Sequence, residues 1–270
     1  PVTALALLSL SVWLGLCATG FWLCRECDDR VVLPDPAQWP EVVAVVPARN
    51  EADVIASSLS SLVAQDYPGG FHILLVDDNS EDGTATIASS IGSGRVGVVS
   101  GKPLANGWTG KLWALSQGIA EAGTPRYLWL TDADIEHAPD TLRRLVGIAE
   151  GKQRKLVSFM AQLHCRTWPE RTLIPAFVYL FMMLYPFNWI NRRGPLAGAA
   201  GGCVLVEREA LAAAGGIAAI RGALIDDCAL GTLLKQQGPI WLGLTHRSRS
   251  IRPYRSVGEV GAMIARSAYA

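Results

Sequence analysis

The stretch "YLWLTDADI", residues 127–135, decides how the chain is read. Tyr127 to Leu130 form an apolar run of the β-rich kind that fills a buried strand. Asp132 and Asp134 then follow one residue apart. Two carboxylates at the end of a buried strand repel each other, and burial penalises both unless a cation or hydrogen-bond donors neutralise them. Alternation along an extended end would point both the same way.

Working outward, β-rich runs alternate with helical stretches. "EVVAVVP" (41–47), "FHILLVDD" (71–78), "RVGVVS" (95–100), "RYLWLTD" (126–132) and "LVSFMAQL" (156–163) read as strands. Residues 51–65, 83–91, 110–121 and 139–149 read as the helices between them. Val54, Ile55, Leu59, Leu62 and Val63 share one face of the first, and a proline starts the last. Such a β-α repeat predicts parallel strands in a doubly wound α/β sheet, with ligands beyond the carboxyl ends of the strands.

Those ends carry the chemistry. The first strand ends in Pro47, Arg49 and Glu51, the second in Asp77 and Asp78, and the fourth in Asp132 and Asp134. A lone Asp at such a place caps a helix or turn. Three acidic strand ends in one chain point instead to a divalent cation shared with a phosphate ligand, the setting Mg2+ prefers. The G-x-G-x-x-G at 92–97 leads into the strand 95–100 rather than from a strand into a helix, and G-x-x-x-x-G-K-[ST] does not occur, so a nucleotide would be held by carboxylates and metal.

"GKPLANGWTGKLWAL" (101–115) is a Gly-rich loop leading into a helix, and Lys111 at that start suits a diphosphate. Gly198, Gly201 and Gly202 either allow close approach to a ligand or make a tight turn before "CVLVE". Asp226 and Asp227 open a further helix, where an ionised carboxylate could take a proton from a hydroxyl or could simply cap. "IRPYRS" (251–256) offers Arg252 and Arg255 for gripping phosphates or a membrane surface, and His246 reads as structural.

Composition narrows the class. Half of the 270 residues are hydrophobic, 18% are charged, and mean hydropathy is positive. The formal net charge is +0, and no basic run interleaves aromatics, so nucleic acid is not an expected partner. Residues 2–24 hold no charge over 23 positions, about 34 Å of helix, enough to cross a hydrocarbon core of roughly 30 Å. That predicts a retained N-terminal transmembrane helix over 1–24, a linker over 25–40, and a catalytic domain over 41–250 facing the cytoplasm.

A second apolar run, "LIPAFVYLFMMLYPFNWI" (173–190), is flanked by Arg171, Arg192 and Arg193 and reads as a membrane-proximal surface or re-entrant element. Residues 251–270 read as an amphipathic or interfacial end. The six cysteines are scattered. Cys24 and Cys27 form a C-x-x-C with no second pair and no nearby histidine, which favours small apolar residues at a membrane boundary over zinc.

The ordered series "VVPARNE", "LLVDDNSEDGT", "GWTGKLWAL", "LTDADI", "GGCVLVERE" and "LIDDCALG" resembles family 2 glycosyltransferases over nearly the whole chain. Within them it looks most like the bacterial hopene-associated, or hopanoid-biosynthesis, enzymes related to ceramide glucosyltransferases. The resemblance implies a GT-A fold with a mixed, mostly parallel sheet, a nucleotide-sugar donor (a UDP-sugar foremost), a divalent Mg2+ or Mn2+, and inversion at the anomeric carbon. It implies that Glu51 and Asp78 contact the nucleoside, Asp132 the ribose or metal, Asp134 the metal and Lys111 the diphosphate.

By the same match Asp227 is the general base, and Pro47, Arg49, Arg252 and Arg255 complete the donor site. The family's late Gln/Arg-x-x-Arg-Trp motif stands here as Arg252-Pro-Tyr-Arg255-Ser256, without the Trp. That speaks against processive polysaccharide synthesis. A membrane lipid acceptor, such as a hopanoid, and a place in the bacterial inner membrane follow from the resemblance together with the apolar segments. Two other functions share parts of the pattern: metal-dependent nucleotidyl transfer, which needs neither Asp227 nor an anchor, and an inactive membrane scaffold, which need not keep Asp78, Asp134 and Asp227 together.

Overall fold

The structure is a computed structural model that describes residues 2–19, 23–31, 34–91 and 94–268. In chain order the elements are α1 (Val2–Ala18), β1 (Val42–Ala48), α2 (Ala52–Val63), β2 (Phe71–Asp77), α3 (Thr84–Ser90), β3 (Val96–Ser100), α4 (Gly110–Glu121), β4 (Tyr127–Thr131) and β5 (Ile135–His137). There follow α5 (Thr141–Gly151), β6 (Leu156–Gln162), α6 (Trp168–Leu184), α7 (Phe187–Ile190), β7 (Cys203–Glu207), α8 (Arg208–Ala213), α9 (Asp226–Lys235), β8 (Ile240–Ser250) and α10 (Val257–Ala268).

The eight strands form one sheet in the order β3-β2-β1-β4-β7-β6-β8-β5. Every residue of β4 is buried, as its apolar run requires at the centre of a covered sheet. The period-2 alternation of β1 divides its side chains between two cores. Val42, Ala44 and Val46 pack with Ile55, Leu59 and Trp129 on one face. Val43 and Val45 pack with Leu112, Leu115 and Leu128 on the other.

The chain runs outward from β1 through β2 to β3, then crosses back to lay β4 on the other side of β1. The order reverses there, so the β1–β4 crevice is the switch point at which such sheets bind ligands. Beyond β4 the expected run of parallel strands gives way to a mixed sheet. β7 pairs antiparallel with both β4 and β6, and β5 antiparallel with β8, while β6 and β8 are parallel. β7 returns through the long α6–α7 excursion rather than a single crossover helix, which frees it from the parallel, right-handed rule.

The alternation expected of Asp132 and Asp134 is also corrected. β4 ends at Thr131 and the chain turns through 132–134 before β5, so the two carboxylates sit on a turn, not an extended end.

Of the N-terminal run expected to span a membrane over 1–24, Val2–Ala18 is a helix, and none of that helix's residues is buried. Pro1 and residues 20–22 lie outside the described residues. At 17 residues α1 is about 26 Å long, shorter than a hydrocarbon core. Among the described residues the stretch long and apolar enough to cross is Trp168–Ile190, 23 residues whose 18-residue apolar window has mean hydropathy 1.6 and is 17% buried. It holds the expected 173–190 run and breaks at Tyr185 and Pro186. Thr167 and Glu170 cap its start reciprocally in a capping box. α10 lays Val260 and Met263 against Ile174 of α6.

Close approach fixes two elements near the crevice. A Cβ on Gly118 of α4 would stand 2.4 Å from Val45 Cγ1 and 2.8 Å from Val76 Cγ2. Gly147 of α5 has nothing within 4 Å of such a Cβ. Gly118→Ala is therefore expected to lower unfolding free energy by about 1–3 kcal/mol through overpacking. Gly147→Ala is expected to raise it by roughly 0.5–1 kcal/mol through helix propensity. Urea unfolding followed by circular dichroism checks both, and equal effects at the two positions would refute the packing argument.

Candidate active site

β1 and β2 deliver the first two acidic ends through a stitched pair of loops. Asn50 and Asn79 adopt left-handed backbone, at φ 55° and 57°, which asparagine tolerates better than most residues. Ser80 Oγ accepts the Asn50 amide at 3.0 Å, Thr84 Oγ1 the Glu51 amide at 2.8 Å, and Asp82 Oδ2 the Ala52 amide at 3.0 Å. Asn50 Oδ1 accepts the Glu81 amide in return at 2.9 Å. This lattice sets Glu51 at the mouth of the crevice and was not foreseen. Its signal was the hydroxyl and carboxylate spacing within "NSEDGT".

Asp78 is buried, and its Oδ2 lies 3.6 Å from Arg49 Nη1 and 3.4 Å from where a Cβ on Gly110 would stand, at the first residue of α4. A helix N-terminus favours negative charge there. Arg49 itself is largely exposed. Pro47, Lys111, Asp132, Gly201, Asp226 and Asp227 line one cavity at the switch point.

Two cations organise the cluster. Lys111 Nζ lies 2.9 Å from Asp132 Oδ1 and 3.1 Å from Asp226 Oδ2, with its side chain 36% exposed. Burial lowers the lysine's pKa, but Asp132 and Asp226 more than offset this and hold it above the usual range, so it stays charged. Arg252 Nε bonds Asp134 Oδ2 at 3.1 Å, and its Nη2 bonds the carboxylate of Glu51. Burial raises the Glu51 pKa, and with the nearby charges of Asp134 and Asp132 it outweighs the lowering by Arg252. The two aspartates of the turn thus face different partners, Asp132 toward Lys111 and Asp134 toward Arg252.

Asp227 differs from its neighbour. Its Oδ1 accepts the Cys228 amide at 2.9 Å, and its Oδ2 lies 3.2 Å from where a Cβ on Gly201 would sit. Gly201 therefore leaves room beside both Asp227 and Lys111, the close approach that the sequence left open. Gly198 and Gly202 serve packing instead, since a Cβ there would meet Tyr185 at 2.8 Å and Ile135 at 3.1 Å. Burial, then the charge of Asp226, pushes the Asp227 carboxyl up to about 6. A carboxylate with that affinity suits proton abstraction near neutrality. The carboxyl oxygens of Asp132 and Asp134 are hard donors that already share their sites with cationic groups, so the residues fit a divalent ion such as Mg2+ or Mn2+.

The arginines expected to act together are separated. Arg252 joins the cluster. Arg255 is exposed, its amide donates to Glu259 Oε2 at 2.8 Å, and its guanidinium does not meet the acidic groups. The loop that carries Arg252 is fastened two residues on, where Glu170 Oε1 accepts the Tyr254 amide at 2.7 Å. The same carboxyl accepts from His164 and from the Arg166 and Thr167 amides. Of the other histidines, His137 is buried, lies between Thr131 and Ser248 at 2.9 Å each, and is kept neutral by burial, its pKa lowered to about 3.

The chain is similar to known proteins to different depths. Residues 43–215 match the model of "Glycosyl transferase family 2". A stretch of 92 residues, 34% of the chain, is 38% identical to 4,4'-diaponeurosporenoate glycosyltransferase of Staphylococcus aureus. The matched stretch covers 23% of that relative's length.

Among solved structures, a mannosyltransferase from Pyrobaculum calidifontis in complex with GDP-Man and Mn2+ superposes with a TM-score of 0.63 at 21% identity, over 91% of this chain and 66% of that one. Glucosyl-3-phosphoglycerate synthase from Mycobacterium tuberculosis, solved with Mn2+, UDP and glucosyl-3-phosphoglycerate, superposes at 0.54 with 24% identity, over 84% and 77%. At these identities the likeness is one of fold. The family model spans well over half of the chain, from the second residue of β1 through β7 and α8, and the chain belongs to glycosyl transferase family 2.

Proposed function

We propose that the chain moves a sugar from a nucleotide-sugar donor, a UDP-sugar foremost, to the hydroxyl or carboxyl oxygen of a membrane lipid, with inversion at the anomeric carbon. The observation that carries this is the Asp132–Lys111–Asp226 bridge beside a separate, raised Asp227. It supports a cation and a base acting from one cavity. Family membership, and relatives solved with GDP-Man or with UDP, support a nucleotide-sugar donor. A relative named for diaponeurosporenoate, a lipid-type molecule, supports a lipid acceptor, of which a hopanoid is one candidate. The exposed apolar faces of α1 and α6 support work at a membrane, which we take to be a bacterial inner membrane with the catalytic domain on its cytoplasmic side.

The residues divide the work. Glu51 and Asp78 bind the nucleoside, with Arg49 and Pro47 framing it. Asp132 and Asp134 hold the divalent ion, which supplies positive charge against the diphosphate when bound. Lys111 adds a second positive contact to the diphosphate, and Arg252 a third. Asp227 takes the proton from an acceptor hydroxyl, and the acceptor oxygen forms its bond to the anomeric carbon. The bond from that carbon to the diphosphate breaks with its electron pair on the nucleoside diphosphate. Stabilising that developing charge is the largest service a fixed lysine can give.

Two measurements test these roles. In calorimetry with Mn2+ and a panel of nucleotide sugars, Asp134→Ala should weaken metal-dependent donor binding at least ~100-fold. Asp227→Asn should leave binding intact and cut turnover about 10²–10⁴-fold. Loss of donor binding in Asp227→Asn with normal binding in Asp134→Ala would reverse the assignment.

The pH dependence follows from the raised Asp227. A base acts only when ionised, so kcat/KM should fall about tenfold per pH unit below about 6 and level off above it. Removing the Asp226 charge takes away a cause of the raised affinity, so Asp226→Asn should move that limb to lower pH. A limb that stays in place in this variant would place the titrating group elsewhere.

A further inference from the structure

The C-x-x-C at the end of the N-terminal apolar run gave no metal site by sequence, because no histidine lies near it. The fold supplies one. Cys27 pairs with Leu244 of β8 as an isolated bridge, and the Leu244 amide donates to the Glu26 carbonyl at 2.8 Å. This lays the segment 26–30 along β8 and brings His246 to it. One ligand atom from each of Cys27, Asp29 and His246 then lies within 4.8 Å of the others. Among the described residues this is the group of three or more histidine, cysteine or acidic side chains that converges so closely. Cys24 does not join it, since its thiol faces Glu26.

We propose that Cys27, Asp29 and His246 form a zinc site that clips the segment following the N-terminal helix onto β8. The donor set is thiolate, carboxylate and imidazole, which suits Zn2+ and disfavours Mg2+ or Ca2+. Asp29 and His246 are exposed and Cys27 is half-buried, so water completes the tetrahedron.

Outer partners already orient two of the three ligands. His246 Nδ1 meets the Gln162 side-chain amide at 2.8 Å. With that amide turned so that its oxygen accepts an Nδ1–H, the Nε2 lone pair is left for a metal. Asp29 Oδ1 is held by Arg247, which also bonds Asp28 at 2.6 Å and Asp140 at 2.9 Å. Asp29 Oδ2 remains beside the Cys27 sulfur, 4.0 Å away. Zinc ligands are commonly braced in this way, by a hydrogen bond on the far side of the imidazole and on the carboxylate. Binding exchanges the Cys27 thiol proton for the metal and releases that proton to solvent.

The site is independent of the sugar-transfer assignment, because none of its ligands belongs to the acidic cluster at the switch point. The experiment uses the whole chain in detergent, stripped with a chelator and titrated with Co2+ as a coloured stand-in for zinc. A thiolate-to-cobalt charge-transfer band should grow to one equivalent and vanish when Zn2+ is added. Carboxylate-only sites give no such band, so a metal at Asp132 and Asp134 does not interfere.

Cys27→Ser should abolish the band, His246→Ala should weaken Co2+ affinity about tenfold or more, and Cys24→Ser should leave the titration unchanged. In the unmutated chain Zn2+ should protect Cys27 from alkylation, read by peptide mass spectrometry. A titration without the band overturns the proposal. So does a band that survives Cys27→Ser, an affinity untouched by His246→Ala, or equal alkylation with and without Zn2+.

Discussion

Lys111 is the group on which the site's electrostatics rest. It stands between Asp132, at the end of the central strand, and Asp226, at the start of α9. Without it the crevice would hold Asp132, Asp226 and Asp227 in mutual repulsion within one cavity, and burial would force protons onto them. With it, Asp132 and Asp226 share a positive partner, while burial and the charge of Asp226 raise the proton affinity of Asp227. The lysine owes its place to α4, whose Gly118 lets the helix sit directly on Val45 and Val76. Packing at one glycine thus fixes a charge two helical turns away.

Arg252 plays the matching part on the other flank, where it neutralises Glu51 and Asp134 together. Each cation joins carboxylates from distant parts of the chain, so the site is assembled by long-range pairing rather than by any one loop. That answers why a fully buried strand can end in two acids: the turn after Thr131 sends them to separate cations. The protein's own lysine and arginine take up the charge that a metal and a diphosphate would otherwise have to balance.

Apart from β5, the strands and helices of the sheet up to β6 were legible because their signals are local. Buried Val-rich runs, amphipathic helices and a helix start at Lys111 all lie within short windows of sequence. The acidic strand ends were legible for the same reason. β7 lying antiparallel between β4 and β6 was not legible, since the same apolar run pairs equally well in either direction and only the α6–α7 excursion decides. The short β5 was hidden by its three residues, and the Ser80–Asp82–Thr84 lattice by looking like any polar turn. The different settings of Asp226 and Asp227 depend on a lysine more than a hundred residues away, and the separation of Arg252 from Arg255 on Glu51 and Asp134, which are also more than a hundred residues away. Neither has a signature in spacing.

The Glu170 carboxylate, described above as the cap of α6 and the acceptor of the Tyr254 amide, links two parts of the molecule with opposite surroundings. On one side is an apolar helix that faces outward, and on the other the loop that carries Arg252 to the acidic cluster. Only Pro253 stands between the tethered Tyr254 and Arg252, so the backbone between them spans only about 7 Å. α6 and the backbone that presents Arg252 therefore share one anchor: a single carboxylate holds both the start of the outward helix and the loop whose guanidinium balances Glu51 and Asp134.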